Sequence, residues 1–455
     1  MNERKSTSTY IVIGTMLFGM FFGAGNLIFP MQMGQSAGTN FWPALTGFII
    51  TAIGLPFLGI LAMGISGSTG LRQLAERVHP VFGMVFSIAL YLTIGPLFAI
   101  PRTATVPFAV GFEPYIRPEW MKGSLLLFSL LFFSAVYYYS VKPGKIIDYI
   151  GKYLTPAFLF LLLLLIITSL IVPMGDFQAP VGDYASFSFI TGFKEGYNTM
   201  DALASLAFGI VVIQALRTRG ITGSGEIAKA TLKSGIFAMV LMMLIYSLIT
   251  YMGASSVSAV GAQGNGGLVF AAVARYYFGT YGAILLAFII ILACLKTSIG
   301  LVISCSEFFH DLYPKMGYRT MVRILCGVSL VIANFGLNNI ILFAIPVLMV
   351  LYPMAIVLIV LSLFSGLFMH KRSVYSVAMA FTLIVSIIDG YAASAGSPGG
   401  IMVPALERVR DFYANVLPLY DLGLGWMLPA VLGATIGMLW PEVKRHGIGS
   451  NQLDR

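Results

Sequence analysis

A few polar side chains interrupt long apolar runs, and their types limit the chemistry open to this chain. Asn26 stands in FGMFFGAGNLIFPMQMG (18–34), behind Gly23 and Gly25 and ahead of Pro30. Gly and Asn are poor helix formers, and Pro lacks a backbone donor, so the run is expected to unwind here. A second such place is FKEGYNTMDALASLAFGIVV (193–212), with Asn198, Thr199, Asp201 and Ser205 at its centre and Gly209 beyond. A helix unwound inside a bilayer frees N–H and C=O groups that no water can satisfy. The freed N–H groups at a half-helix start suit a carboxylate, and freed carbonyls suit Na⁺ or an ammonium. An amino acid presents both charges. Glycines such as Gly14, Gly19 and Gly23 would by themselves serve equally for close helix packing. Asn26 and the second break favour a ligand.

Three charged residues lie deep in apolar runs. Lys296 is about sixteen residues in, too far to snorkel to the surface, and requires an acid, a cavity or a cation site of its own. In a cation site it would carry a titratable proton. Arg102 and Asp201 lie at similar depths from the same side of two different runs. Either they form a salt bridge above a ligand, acting as a gate, or each caps a separate break. Thr297 and Ser298 either bind a cation or bond back to helix carbonyls. Asp389, near the end of its run, reads as an interfacial residue.

Other chemistries lack their residues. His79, His310, His370 and His446 all fall near the ends of apolar runs, and neither an HExxH nor a Ser-His-Asp set lies within one. This argues against an enzyme. GxxxxGK[ST] is missing, so no ATP-driven step is expected from this chain, and no ATP-binding subunit is required. A channel would need a filter repeat or charge rings that the sequence does not contain. Cys294, Cys305 and Cys326 sit inside apolar runs and form no disulfide framework.

The elements that must position these residues follow from composition. Of 455 residues, 58% are hydrophobic and 10% charged, with mean hydropathy +0.89. So few charges cannot cover the surface of a soluble domain, and the long runs oppose a β-barrel. A polytopic helical membrane protein remains, with the lipid bilayer as its partner. Spans are expected near 10–34, 39–66, 80–110, 123–140, 147–173, 190–214, 233–254, 280–306, 321–336, 339–368, 374–393 and 425–440. The net charge of +9 reads as loop Lys and Arg rather than as a nucleic-acid surface. With the N-terminus inside, 19 Lys and Arg fall on the cytoplasmic side and 6 opposite, which puts both termini in the cytoplasm. The expected setting is the inner (plasma) membrane. Residues 1–455 read as one transport domain, with a first repeat at 10–173, a second at 190–368 and two more spans at 374–440. Residues 255–279 read as a polar external loop, 217–235 as a partly helical connection, and 394–424 as a stretch with a short surface helix.

GAGNLIFP (23–30) and SLAFG (205–209) resemble the first- and sixth-helix motifs of the leucine-transporter fold. Together with YNTMDALASLAFG (197–209), LACLKTSIGL (292–301) and GPLFAIPRTATVPF (95–108), they resemble the bacterial branched-chain amino acid:cation symporters (LIVCS, BrnQ type). That resemblance implies 5+5 inverted repeats with broken helices 1 and 6, two additional helices, and uptake of leucine, isoleucine and valine driven by Na⁺ or H⁺. A carrier of another small neutral solute, such as alanine or a nucleobase, is the alternative on this fold. The substrate site would be Ala24, Gly25, Asn26, Asp201, Ala202, Leu203, Ala204, Ser205 and Phe208. Carboxylate contact is expected at the Ala24 and Gly25 N–H groups, and ammonium contact at carbonyls near Asp201–Ala204. Leu97 and Phe98 would join Ala204 and Phe208 around the side chain. Carried over in the same way, Na⁺ would meet the carbonyls of Gly19, Phe22 and Cys294 and the hydroxyls of Thr297 and Ser298. Lys296 is the departure from that pattern. It is expected to turn out of the ion shell, toward Asp201, Glu307 or water; H⁺ carried on Lys296 is the alternative coupling.

Overall fold

The computed structural model describes residues 7–440 apart from 67, 69, 146, 222, 397–401 and 421. The SPGG stretch and the terminal basic residues used in the orientation count lie outside them. Every regular element among the described residues is helical. The first two spans are α1 (Thr7–Phe21) with α2 (Gly25–Ala37), and α3 (Phe41–Ile49) with α4 (Leu55–Ser66). A short α5 (Leu71–Ala75) leads into α6 (Pro80–Leu92) and α7 (Ala99–Gly111), then α8 (Met121–Ser140) and α9 (Thr155–Ile171). The second half runs through α10 (Ser188–Glu195), α11 (Asp201–Arg217), α12 (Ser224–Val260), α13 (Gly266–Phe278), α14 (Thr280–Leu312), α15 (Tyr318–Ala333) and α16 (Leu337–Leu363). The chain then forms α17 (Arg372–Ala395), α18 (Pro404–Val416) and α19 (Met427–Leu439).

Each expected span is helical over most of its length. Eight helices among the described residues are long and apolar enough to cross a membrane, nine when the bent pair Ser188–Thr199 and Asp201–Arg217 counts as one. The expected surface helix is α18. The expected external loop is largely helical instead: α12 continues to Val260, and α13 follows after five residues. Asn265 caps α13 by accepting from the Leu268 N–H at 3.0 Å, which gives a Gly-rich segment a defined helix start.

Small residues set the close approaches. A Cβ on Gly34 of α2 would overlap the Thr250 carbonyl of α12, and one on Gly253 of α12 would overlap the Met31 carbonyl of α2. Gly47 of α3 and Gly192 of α10 make the same reciprocal contact, against Phe189 O and Ala44 O. With lipid as solvent there is little hydrophobic drive between helices, so backbone-to-backbone packing through glycine holds them. These contacts fix α2 on α12 and α3 on α10, and thereby place both interrupted spans. On the outside, α8 and α9 expose Leu127, Leu131, Phe160 and Ile171, as helices facing lipid do.

A third interruption was not expected. Between α6 and α7, residues Thr93–Leu97 widen into a π-turn in which Gly95 has φ −89° and ψ −126°, followed by Pro96. Pro96 has no N–H to give, and Cys305 of α14 donates its S–H to the Tyr91 carbonyl beside the turn. This bend turns Leu97 and Phe98 outward into an apolar groove of about 280 Å³ with Ile332, Phe335 and Phe343.

Candidate functional site

The two expected breaks meet. α1 ends at Phe21 and α2 begins at Gly25. In the gap, the Gly23 N–H donates to Asn26 Oδ1 at 2.9 Å, so the Asn side chain substitutes for a helix carbonyl. At the other break, α10 tightens into a 3₁₀ turn (Gly196–Thr199), Met200 takes φ +62°, and α11 starts at Asp201. The two pieces are bent by 42°. A non-glycine residue in the left-handed region stores backbone strain, which the surrounding packing must hold. Thr199 Oγ1 donates to Gly196 O at 2.8 Å and accepts from the Asp201 N–H at 3.3 Å, closing the turn.

One buried cluster ties the breaks together. Asn26 Nδ2 donates to Asp201 Oδ2 and to the Tyr246 hydroxyl. Tyr246, on α12, donates to the same carboxylate oxygen at 3.2 Å. Asn26 is 2% exposed, Asp201 3% and Tyr246 0%, so these bonds are made out of water and losing one would leave a buried group unsatisfied. The sequence reading missed Tyr246. Its signal was a phenol in the middle of an apolar run, where a polar tip needs a partner.

Between the breaks lies a cavity of about 30 Å³. Ala24, Gly25, Asn26, Asp201, Ala204 and Phe208 line it, together with Arg102, Thr297 and the unforeseen Ile94, Ala99, Thr103 and Met200. Ala202, Leu203 and Ser205 are buried but do not line it. Ser205 donates to Ala202 O at 2.7 Å and packs where Gly59 of α4 offers room. Leu97 and Phe98 also stand away, because the π-turn reverses their direction; Ile94 and Ala99 take their place. The carbonyls near Asp201–Ala204 belong to the first turn of α11 and serve the helix ladder, so the acceptors freed by the break lie before Asp201. Asn198 O is one, and Arg102 Nη1 donates to it at 3.0 Å. Arg102 is not ion-paired with Asp201: the ion pairs among the described residues are on the surface, at Arg72–Glu76, Lys152–Asp148 and Arg410 with Glu407 and Asp411. Gly25 is not in the left-handed region. Its requirement is space, since a Cβ there would come within 3.1 Å of Arg102 Nη2 and of the Phe29 ring. Room for roughly two waters, at ~10–15 Å³ each, does not admit an amino acid until the walls move apart.

Lys296 is not turned away. Its Nζ donates to Gly19 O at 3.2 Å and to Phe22 O, two carbonyls freed by the first break. The ammonium also lies over the rings of Phe158, Phe22 and Phe18, at 4.3, 5.4 and 5.5 Å from their centroids. An ammonium gains more from freed carbonyls and aromatic faces than from lipid, and this decides its direction. Thr297 Oγ1 reaches Gly19 O at 3.4 Å, and Ser298 Oγ is buried with no hydrogen-bond partner among the described residues. Cys294 is fully buried on the same helix. Thr155 of α9 adds a second partnerless hydroxyl, against Gly19. Span 5 thus contributes Thr155 and Phe158 to this cluster, which no local signal announced.

A family described as branched-chain amino acid transport protein matches residues 6–444. The chain belongs to that family. The branched-chain amino acid permease BrnQ of Bacillus subtilis is 44% identical over 439 residues, covering 96% of this chain and 98% of that one. BrnQ of Lactobacillus delbrueckii subsp. lactis is 45% identical (95% and 96% covered), and BrnQ of Escherichia coli 37% (99% and 100%). Among solved structures, the transporter Mhp1 of the nucleobase-cation-symport-1 family, closed on bromovinylhydantoin, aligns with TM-score 0.57 at 13% identity, covering 94% of this chain and 91% of that one. MhsT in complex with L-phenylalanine aligns with TM-score 0.55 at 15% identity, 96% and 98% covered. At such identities the likeness establishes the fold alone, the leucine-transporter-like arrangement. The protein is therefore a membrane transport protein of the branched-chain amino acid family and not an enzyme.

Proposed function

We propose that this transporter is a secondary active symporter that takes up leucine, isoleucine and valine by alternating access from the outside of the plasma membrane, with both termini cytoplasmic. The observation that carries this reading is the meeting of two interrupted spans at one buried cavity. Its walls combine helix ends and charges with the apolar faces of Phe208, Ala204 and Ile94. Such walls accept a zwitterionic headgroup and a branched apolar side chain together. The names and coverage of the relatives support the substrate class. No further subunit enters the reading, because the cavity and the cation cluster are both built from this one chain.

The coupling cation meets the chain at Gly19, Phe22, Lys296, Thr297 and Ser298. Two readings compete there. The first is H⁺ carried on Lys296, supported by the ammonium resting on the two freed carbonyls. The second is Na⁺, supported by the partnerless Ser298 hydroxyl and by Thr297 beside Gly19 O, with the Cys294 carbonyl on the same helix. Hard oxygens of this kind suit Na⁺. It would require Lys296 to leave those carbonyls or lose its proton, because two cations so close repel strongly in a medium of low dielectric. Leucine uptake into proteoliposomes, with Na⁺ and pH gradients imposed separately, tests both. If H⁺ is the driver, the wild type ignores Na⁺ and Lys296→Met abolishes the pH dependence. If Na⁺ is the driver, the double variant Thr297→Ala, Ser298→Ala raises the Na⁺ concentration for half-maximal uptake. Uptake that responds to neither gradient refutes symport.

A further inference from the structure

Arg102 and Asp201 line the same cavity, both at least nine-tenths buried, and they form no ion pair with each other. A guanidinium has five N–H donors; among the described residues it makes one hydrogen bond, from Nη1 to Asn198 O, and lies 5.7 Å from the centroid of the Phe29 ring. Its Nη2 faces Gly25, the first residue of α2. The opening N–H groups of a helix lack intrahelical acceptors and carry a partial positive charge. The guanidinium thus lies beside the start of α2, where an anion in the cavity can meet both a guanidinium and the positive end of a helix. Asp201 presents the opposite case. The bonds from Asn26 and Tyr246 both fall on Oδ2, which leaves Oδ1 free of both.

Resting on the transport reading above, we propose that Arg102 and Asp201 are the two charged anchors of the amino-acid headgroup. Arg102, with the Gly25 end of α2, receives the carboxylate. Asp201 receives the ammonium on Oδ1, the oxygen to which Asn26 and Tyr246 do not bond. This gives Arg102 direct contact with the substrate, rather than the role of a gate closed by a bond to Asp201. It also explains why the base and acid are held apart: paired to each other, they would compete with the headgroup for the same charges. Asn26 and Tyr246 act as positioning residues, fixing the carboxylate and so the spacing between the two anchors. A side chain carrying a third charge would find no remaining counter-charge on this wall.

The test pairs residue changes with ligand changes. Leucine, isoamylamine (leucine without its carboxylate) and 4-methylpentanoate (leucine without its ammonium) are titrated calorimetrically into the purified full chain. Arg102→Gln is expected to weaken leucine at least about thirtyfold, as loss of one partner from a buried charge pair does, while isoamylamine changes less than about threefold. Asp201→Asn is expected to weaken leucine and isoamylamine but to spare 4-methylpentanoate. Arg102→Lys keeps a cation without the planar fork and serves where the glutamine variant does not fold; it should weaken leucine about tenfold and again spare isoamylamine. Equal losses for leucine and isoamylamine in either Arg102 variant would mean a gate or a structural strut and overturn the assignment. Unchanged leucine affinity in those variants would do the same, and isoamylamine that does not bind the wild type overturns the Asp201 half. Wild-type vesicles that take up no leucine would instead refute the transport reading.

Discussion

Asn26→Ala removes the side chain that joins the two breaks, and the structure gives the size of the loss. The Gly23 N–H loses its acceptor at 2.9 Å, and the Asp201 carboxylate loses the Asn26 donor while keeping Tyr246 at 3.2 Å. An orphaned buried N–H costs ~1–3 kcal/mol and a lost bond to a charged group ~1.5–3 kcal/mol, so ~3–5 kcal/mol is a fair total. With an unfolding entropy of ~2.1 cal/mol/K per residue, 1 kcal/mol corresponds to about 1 °C in a chain of 455 residues. Asn26→Ala should therefore lower Tm by about 3–5 °C. The three buried cysteines, Cys294, Cys305 and Cys326, supply the assay, since a thiol-reactive fluorophore labels them only as the bundle opens. The sharper measurement is the double variant with Asp201→Asn. Removing the charge that Asn26 supports should make the pair lose ~1–3 kcal/mol less than the sum of the single changes. A Tm within a degree of wild type for Asn26→Ala, or strict additivity with Asp201→Asn, would show that these residues do not form one energetic unit.

Leucine, isoleucine and valine should inhibit one another's uptake competitively with affinities within ~1–3 kcal/mol per methylene, whereas lysine and glutamate should not compete; equal inhibition by either charged amino acid contradicts the apolar side-chain wall. Gly253→Leu places a side chain into the Met31 carbonyl and should destabilise the α2–α12 pair by ~2 kcal/mol or more, while Gly264→Ala, with nothing within 4 Å, should leave Tm unchanged in the same thiol assay. Arg410→Ala removes the exposed contacts to Glu407 and Asp411 on α18 and should shift neither Tm nor uptake. A measurable loss there would mean that α18 has a partner on that face.

Much of this protein was legible in its sequence because the relevant physics is local. A run of apolar residues long enough to cross a bilayer announces a span wherever it occurs. Gly23, Gly25, Asn26 and Pro30 disfavour a helix by their own backbone chemistry, so the first break needed no neighbour to reveal it. The same holds for the polar centre around Asp201, and for α18 between the last two spans. The third break was harder, because GPL within a span reads as a mere kink until the Gly95 backbone and the Cys305 bond are seen. What the sequence could not decide is which side chains meet across the bundle. Asn26 and Asp201 are 175 residues apart, and Asn26 and Tyr246 220 apart. Lys296 shows the limit most clearly. Helical periodicity allowed it to face an acid, water or the ion site, and all three satisfy a buried ammonium in principle. Only the packing of α14 against α1 and α9 settles the matter, by bringing two freed carbonyls and three aromatic faces to its amine, 274 and more residues along the chain from the carbonyls it meets. Local sequence fixes where a backbone breaks; the tertiary fold decides which distant group satisfies what the break sets free.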